Sequence, residues 1–377
     1  MKILYFYPEN PVALNQGNNA RAFALLQYFK SKNHKIDYVG IASKSFSDDD
    51  LESIKKADLI DNGFLLKKDK RISKTLSYLF TYAIPNKLMG RIRDFDRTRF
   101  GHKEQFSKIL KGNQYDYIII SYAYWAELIR ENKHVKNAKL IIDTHDFLTS
   151  QFQNQKRFNL GKYFDKEIEI LNLFQKVWVI SSDENYVFSQ FVTSDVVTIP
   201  HALEAKFQSN TSKKYDLVYV ASSNEHNVKS AKWFFEEVYP KLNANLSICV
   251  VGKINEHISE LPNVTKMHFV EDLNQVYSES RVAICPMLSG TGLKIKVVEA
   301  LSFGLPVVCN PRGIDGLINK TNNGCLVAEN ATTFSKYIEQ LLTDENFYQQ
   351  QQTLSKNFFE NYLSVKSVYS ALDNVFK

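Results

Sequence analysis

Cysteine is scarce and poorly spaced for metal or redox work. Only four occur in 377 residues, Cys249, Cys285, Cys309 and Cys325, all in the second half and none in a C-x-x-C pair. Three lie in apolar, strand-like runs, where cysteine serves as a small hydrophobe. The eight histidines show no H-x-x-x-H or H-E-x-x-H spacing, so neither a zinc site nor any other metal is expected. No apolar run reaches the ~18 residues of a membrane span. The opening residues, Met1 to Pro8, are too short and too β-like for a signal peptide and read as a first buried strand, so a cytoplasmic location is expected. Short-period repeats and low-complexity tracts are missing as well. One acidic run, Asp48-Asp49-Asp50, follows a polar stretch and opens a surface helix rather than a metal-bridged pyrophosphate site.

What is present suits a two-domain globular chain. Apolar residues make up 44% and aromatics 13% of the sequence, ample for two cores of ordinary size. The net charge of +6 is unevenly spread. From Lys67 to Lys111 there are thirteen Lys/Arg against four Asp/Glu, a local balance of +9, which leaves the remainder at −3. This block carries Leu76, Tyr78, Leu79, Phe80, Tyr82 and Ile84 beside Lys74, Lys87, Arg91 and Arg93. One reading is attraction to an anionic membrane surface through 67–111; the other is two helices with apolar cores and wet, charged faces. Nucleic acid is not expected, because no helix-turn-helix, zinc or RNP-type signature accompanies the block.

Short β-branched or aromatic runs alternate with helical patterns. Strands are predicted at 2–8, 35–42, 115–121, 138–144, 176–181 and 196–200, with helices near 18–32, 71–84, 86–111, 123–132, 162–174 and 183–191. Runs such as Tyr117-Ile118-Ile119-Ile120 are continuously apolar, as in parallel strands buried on both faces. A polar stretch from Glu204 to Tyr215 reads as a linker, and the alternation then restarts. Strands follow at 216–221, 246–252, 264–270, 282–287, 306–309 and 324–328, with helices near 227–241, 272–280, 292–303 and 331–343. Residues 345–377 are helical. The fold class is therefore α/β, with two Rossmann-like doubly wound domains facing across a cleft.

In such sheets ligands bind beyond the carboxyl ends of the strands. Three strand ends are chemically loaded. Gly17-Asn18-Asn19 follows strand one at a helix start; it suits close approach to a phosphate, or an ordinary asparagine-capped loop. Asp143-Thr144-His145-Asp146 ends an apolar strand, as a functional tetrad or as a structural hydrogen-bonding cluster. The third runs from Pro286 through Ser289-Gly290-Thr291-Gly292-Leu293-Lys294-Ile295-Lys296 to Glu299 and on to Val308. Its glycine-flanked turn and helix start offer N–H groups and a positive dipole end to a pyrophosphate. Lys294 and Lys296 add charge, and Glu299, two turns into a helix starting near Gly292, suits a ribose diol. The segment lacks the third glycine of G-x-G-x-x-G and the strand-one position of a dinucleotide fingerprint.

The Pro286–Val308 run, with Asn310-Pro311-Arg312-Gly313 after the next strand, resembles the donor-binding signature of family 4 glycosyltransferases (glycosyl transferases group 1), which have the GT-B architecture. More loosely the resemblance spans nearly the whole chain. Gly17 and Asn18 occupy the place of the family's N-terminal glycine loop, and His145 that of its strand-end histidine. Gly252 and the stretch Phe269-Val270-Glu271-Asp272-Leu273 stand where its C-terminal domain contacts the nucleotide. Where the family signature places two glutamates eight positions apart, Thr291 holds the first position and Glu299 the second. Of the basic pair that usually meets the donor phosphates, only Lys229 and Lys232 lie nearby, after Ala221-Ser222-Ser223; Lys294 or Lys296 is the alternative.

The resemblance implies a retaining, metal-independent transferase without cofactor. Its donor would be a UDP- or GDP-linked sugar and its acceptor a glycan or lipid-linked glycan, in bacterial surface polysaccharide synthesis, with the protein in the cytoplasm or peripheral at the inner membrane face. It implies an acceptor-binding domain at 1–203, a nucleotide-sugar domain at 204–355, and a C-terminal helix at 356–377 for which a return to the first domain is one option. His145, Asp146 and Lys294 would be catalytic. Gly17, Asn18, Ser222, Gly252, Val270, Leu273, Gly290, Thr291, Gly292, Leu293, Lys296 and Glu299 would bind the donor. A nucleotide-sugar-binding protein without transfer activity, or a UDP-sugar 2-epimerase, fits the same layout.

Overall fold

A computed structural model describes residues 1–13, 17–69, 78, 84, 93–207, 213–290 and 292–377. The expected helix at 71–84 and the apolar-basic stretch around it lie outside these residues, apart from Tyr78 and Ile84, and Thr291 lies outside them too. The chain divides into two compact units, residues 1–180 with 184–198 and residues 181–183 with 199–377.

The first unit holds a seven-stranded parallel sheet. Its strands are β1 (Lys2–Phe6), β2 (Lys35–Ile41), β3 (Asn62–Leu66), β4 (Tyr117–Ser121), β5 (Lys139–Asp143), β6 (Lys176–Val179) and β7 (Asp195–Thr198), in the order β3-β2-β1-β4-β5-β6-β7. Every residue of β4 is buried, which explains its unbroken apolar run: crossover helices cover both faces of a parallel sheet. The helix Gly17–Ser31 covers one face with Ala22, Leu25, Leu26 and Phe29. As expected, Asp48-Asp49-Asp50 opens a helix (Asp48–Lys56), held by a capping box in which Ser47 and Asp50 exchange hydrogen bonds.

The second unit repeats the plan with six parallel strands, β8 (Tyr215–Val220), β9 (Ile248–Val251), β10 (Val264–Met267), β11 (Ser280–Cys285), β12 (Val307–Cys309) and β13 (Cys325–Val327), ordered β10-β9-β8-β11-β12-β13. Both sheets have the doubly wound strand order, reversing direction between β1 and β4 in one and between β8 and β11 in the other. All four cysteines lie in these strands, and Cys249, Cys285 and Cys309 are buried.

Several expectations need correcting. The expected strands omit β3, an edge strand that opens on Asn62-Gly63 and is only partly buried. The expected helix 86–111 is interrupted. In its described part a short 3-10 turn covers Arg93–Phe95, Asp96 accepts hydrogen bonds from the Thr98 N–H and hydroxyl, and the α-helix His102–Lys111 starts only after Gly101 at φ 93°. The expected helix 123–132 is a 3-10 segment over Ala123–Leu128.

The boundary expected at 203/204 falls at 198/199. The Leu203 N–H donates to the Leu363 carbonyl and the Val365 N–H donates back to the Leu203 carbonyl, each at 3.1 Å, tying this segment to the second unit. Residues 356–377 belong to that unit too: Phe358, Phe359 and Leu363 are buried in one cluster with Val297, Val298 and Leu301. Among the described residues no helix is long and apolar enough to cross a membrane.

Candidate functional site

In the first unit, β1, β4 and β5 release Tyr7-Pro8-Glu9, Tyr122 and Asp143-Thr144-His145-Asp146 at the point where the strand order reverses. Tyr122 (φ 66°) and His145 (φ 61°) both adopt left-handed backbone conformations, which non-glycine residues enter at a cost and which gather at functional sites. Their rings stack at 4.2 Å with an interplanar angle of 19°, and Tyr7 stacks on His145 at 6.0 Å. The His145 side chain is sealed from solvent, its Nε2 3.0 Å from Asp143 Oδ2. Arg21, on the helix Gly17–Ser31, donates to the same carboxylate from Nη2 at 2.6 Å and from Nε at 3.1 Å.

Burial alone would raise the Asp143 carboxyl. The Arg21 guanidinium and His145 outweigh it and hold the group below the usual carboxylate range. Thr144 is tied by its N–H and hydroxyl to the Trp178 carbonyl. Half of the tetrad therefore organises the strand end. Asp146 turns instead to a pocket of about 480 Å³ that Asn18, Tyr122 and Gln151 also line. Burial raises the Asp146 carboxyl, opposed by His145, Gln151 and Arg97.

In the second unit two helices present their first turns at the reversal between β8 and β11. Asn224 caps the helix Glu225–Trp233 by accepting from the Asn227 N–H, and the helix Ile295–Ser302 starts at Lys294. That start is three residues later than expected, because Gly290 (φ 95°) and Gly292 (φ 77°) hold the chain in a non-helical turn. Glu299 is accordingly a little over one turn into the helix. Among the described residues nothing lies within 4 Å of a Cβ placed on Gly292, so the turn has room there. Ser289 Oγ meets His226 Nδ1 at 2.9 Å, and the Leu288 N–H donates to Ser230 Oγ, fastening the turn to the first of these helices.

The two lysines are buried or half-buried, and burial lowers the pKa of each. Lys294 Nζ donates to the Gly292 carbonyl at 2.6 Å, and Lys296 Nζ donates to Asn227 Oδ1 at 3.0 Å. Lys229 and Lys232, by contrast, are exposed on the outer part of the helix. Asn227 also donates to Ser222 through its side-chain amide. Burial raises the Glu299 carboxyl, which accepts from the Tyr277 hydroxyl at 3.2 Å; that bond and the charges of Lys206 and Lys296 oppose the rise.

Ser222, Gly290, Gly292, Leu293, Lys294, Lys296 and Glu299 thus converge at one strand-end region. Gly252, at φ 110°, fits so close beneath Ala221 that a Cβ there would lie 2.2 Å from its carbonyl oxygen. Val270 and Leu273 are half-buried and pack on the apolar cluster behind the turn. In the first unit Gly17 begins its helix, and Asn18 lines the pocket.

Residues 214–344 match the family model described as glycosyl transferases group 1. The matched span contains all the second-unit candidates, from Ser222 to Glu299. A Klebsiella pneumoniae protein, described as an uncharacterized 44.6 kDa protein in the cps region, is 19% identical over 365 residues, 89% of this chain and 90% of its own. An uncharacterized glycosyltransferase of Haemophilus influenzae is 25% identical over 218 residues, 54% of this chain and 60% of its own. HepE of Anabaena, solved in complex with UDP, covers 100% of this chain and 99% of its own with a TM-score of 0.71 at 11% identity. TarM of S. aureus, solved as a mutant with UDP, alpha-GlcNAc-glycerol and Fondaparinux, covers 100% and 99% with a TM-score of 0.67 at 14% identity. These likenesses establish the fold as GT-B, two Rossmann-like domains.

The sequence reading missed the partners that hold these residues in place. Arg21, Tyr122 and Tyr277 carry no motif, since each acts on a residue distant in sequence: Arg21 on Asp143, Tyr122 on His145 and Tyr277 on Glu299. Asp94 and Asp96 also stand in a D-x-D spacing. Asp94 accepts from the Tyr163 hydroxyl and Asp96 from Thr98, so both carboxylates are engaged locally.

Proposed function

We propose that this protein is a retaining glycosyltransferase. It moves a sugar from a UDP- or GDP-linked donor to a glycan or lipid-linked glycan in bacterial surface polysaccharide synthesis, without a metal. The observation that carries the reading is the turn from Gly290 to Glu299, with Lys294 and Lys296 folded against it and two helix N-termini beside it. N–H groups, a dipole end and two cations suit the charge that develops on a departing nucleoside diphosphate. Glu299, held by Tyr277, accepts the two donors of a ribose diol. The anomeric carbon becomes oxocarbenium-like as the bond to phosphate breaks. The acceptor hydroxyl forms the new bond on the same face, and its proton passes to a leaving phosphate oxygen. Asp146 orients a hydroxyl of the reacting sugars, and His145 sets the strand end that carries Asp146.

UDP in the HepE and TarM structures supports a uridine donor, and the cps-region relative supports the polysaccharide setting. The test is a thermal-shift screen across UDP-, GDP-, ADP-, CMP- and dTDP-sugars. One class should raise the melting temperature as its concentration rises, by mass action. No shift with any nucleotide sugar would contradict the reading.

A further inference from the structure

The pocket of the first unit carries more chemistry than the transfer step uses. Its volume is about 480 Å³, and among the described residues its lining combines the carboxylates of Glu9 and Asp146 and the amides of Asn18 and Gln151 with one cation, Arg97. That cation is held in a defined orientation. Its guanidinium carbon lies 3.8 Å from the centroid of the Tyr124 ring, and its backbone N–H donates to the Tyr124 carbonyl at 3.1 Å. Stacking of this kind covers one face of the guanidinium and leaves its edge, with the N–H fork, free to meet a planar anion. Among the described residues Arg97 is exposed and forms no salt bridge, whereas the more buried arginines at this end are engaged: Arg21 with Asp143 and Arg130 with Glu127.

Carboxylates and side-chain amides suit sugar hydroxyls, which both donate and accept. A stacked arginine suits a carboxylate or phosphate on the same sugar, through paired charge-assisted hydrogen bonds. We infer that this pocket selects an acceptor whose terminal sugar bears an anionic group, a uronic acid or a sugar phosphate, with Arg97 as the specificity-determining residue. The inference rests on the transferase reading for the word acceptor, but it is tested by binding alone.

The experiment titrates the full chain, with no nucleotide present, against methyl β-glucuronide, methyl β-glucoside 6-phosphate and methyl β-glucoside, read by saturation-transfer NMR. At least one anionic glycoside should bind fivefold or more tighter than the neutral one, with the advantage narrowing as salt is added. Whichever anion binds tighter distinguishes carboxylate from phosphate. Arg97→Ala should bring the three ligands within about twofold of one another, and Arg97→Lys should keep part of the preference, since it retains charge without the fork. Equal binding of neutral and anionic glycosides by the unaltered protein, no binding of any of the three, or a preference that survives Arg97→Ala would overturn the inference. Failure of the transferase reading would appear elsewhere, as no response to any nucleotide sugar, and would leave these titrations unchanged.

Discussion

In the proposed function Glu299 holds the ribose of the donor. Removing its carboxylate by Glu299→Ala should weaken binding of the preferred nucleotide by roughly 1.5–3 kcal/mol, the range for charge-assisted hydrogen bonds. Calorimetry measures this, and unchanged affinity would remove the ribose contact. His145→Ala should leave nucleotide affinity near its original value and lower turnover by about 10²-fold, the size of effect that misplacing a positioned group such as Asp146 can have. Turnover at the original level would leave the Asp143–Asp146 tetrad a purely structural cluster. The grouping of the second-unit candidates was legible in the sequence because it is local: Gly290, Gly292, Lys294, Lys296 and Glu299 lie in one turn and one helix start. The Arg21–Asp143 pair was not, because 122 residues separate its partners. Nor was the sealing of His145 beneath Tyr122, which depends on two strand ends being neighbours.

At the scale of elements, strands were read well where both faces are buried and poorly at the sheet edge. β4 declares itself by five buried residues in a row, whereas β3 has one buried residue in five. Helix starts shifted where glycines with positive φ delay them, as at Gly101 and Gly292. One short element should be sensitive to pH. The first N–H groups of the helix Leu148–Gln151, those of Leu148 and Thr149, donate at 2.8 Å to the buried carboxylate of Glu167, which lies on the helix Leu160–Leu171. Burial pushes this carboxyl up to about 7, against the opposing pull of those hydrogen bonds.

A carboxyl whose folded pKa is raised holds its proton more tightly folded than unfolded. Its contribution therefore favours the fold at low pH and is lost as pH rises from the ordinary carboxylate range through about 7. The change should be on the order of 1–3 kcal/mol across that window. Urea unfolding at pH 5 and at pH 7.5 should show a smaller difference for Glu167→Gln than for the unaltered chain. An equal difference in both would place the group's titration elsewhere.

For the molecule as a whole, the two doubly wound units and their repeat were legible because buried parallel strands restart after residue 204. The boundary was misplaced because the apparent linker is docked: Lys206 N–H donates to the Ser302 carbonyl and Phe207 packs edge-on against Phe359. The basic block from Lys67 to Lys111 carries a local balance of +9. Part of its charge is already paired, Lys67 with Asp48, Lys103 with Glu127 and Lys108 with Glu104. Ile84 is exposed. If the remaining charge meets a membrane, the protein should sediment with anionic vesicles at low salt and be released at high salt, each basic side chain near the surface contributing about 1 kcal/mol. No sedimentation at low salt would leave the block a solvated protein face.

The Gly290–Glu299 turn is proposed to serve sugar transfer rather than storage or epimerisation of a nucleotide sugar. The most direct measurement incubates the protein with its preferred nucleotide sugar and an acceptor glycan in excess EDTA, following nucleoside diphosphate release and the anomeric proton of the product by NMR. Many turnovers, an undiminished rate in EDTA, and a new glycosidic bond with the donor's anomeric configuration are the expected result. Binding without turnover, epimerised sugar formed with no acceptor present, or activity abolished by EDTA and restored by Mg²⁺ or Mn²⁺ would contradict it.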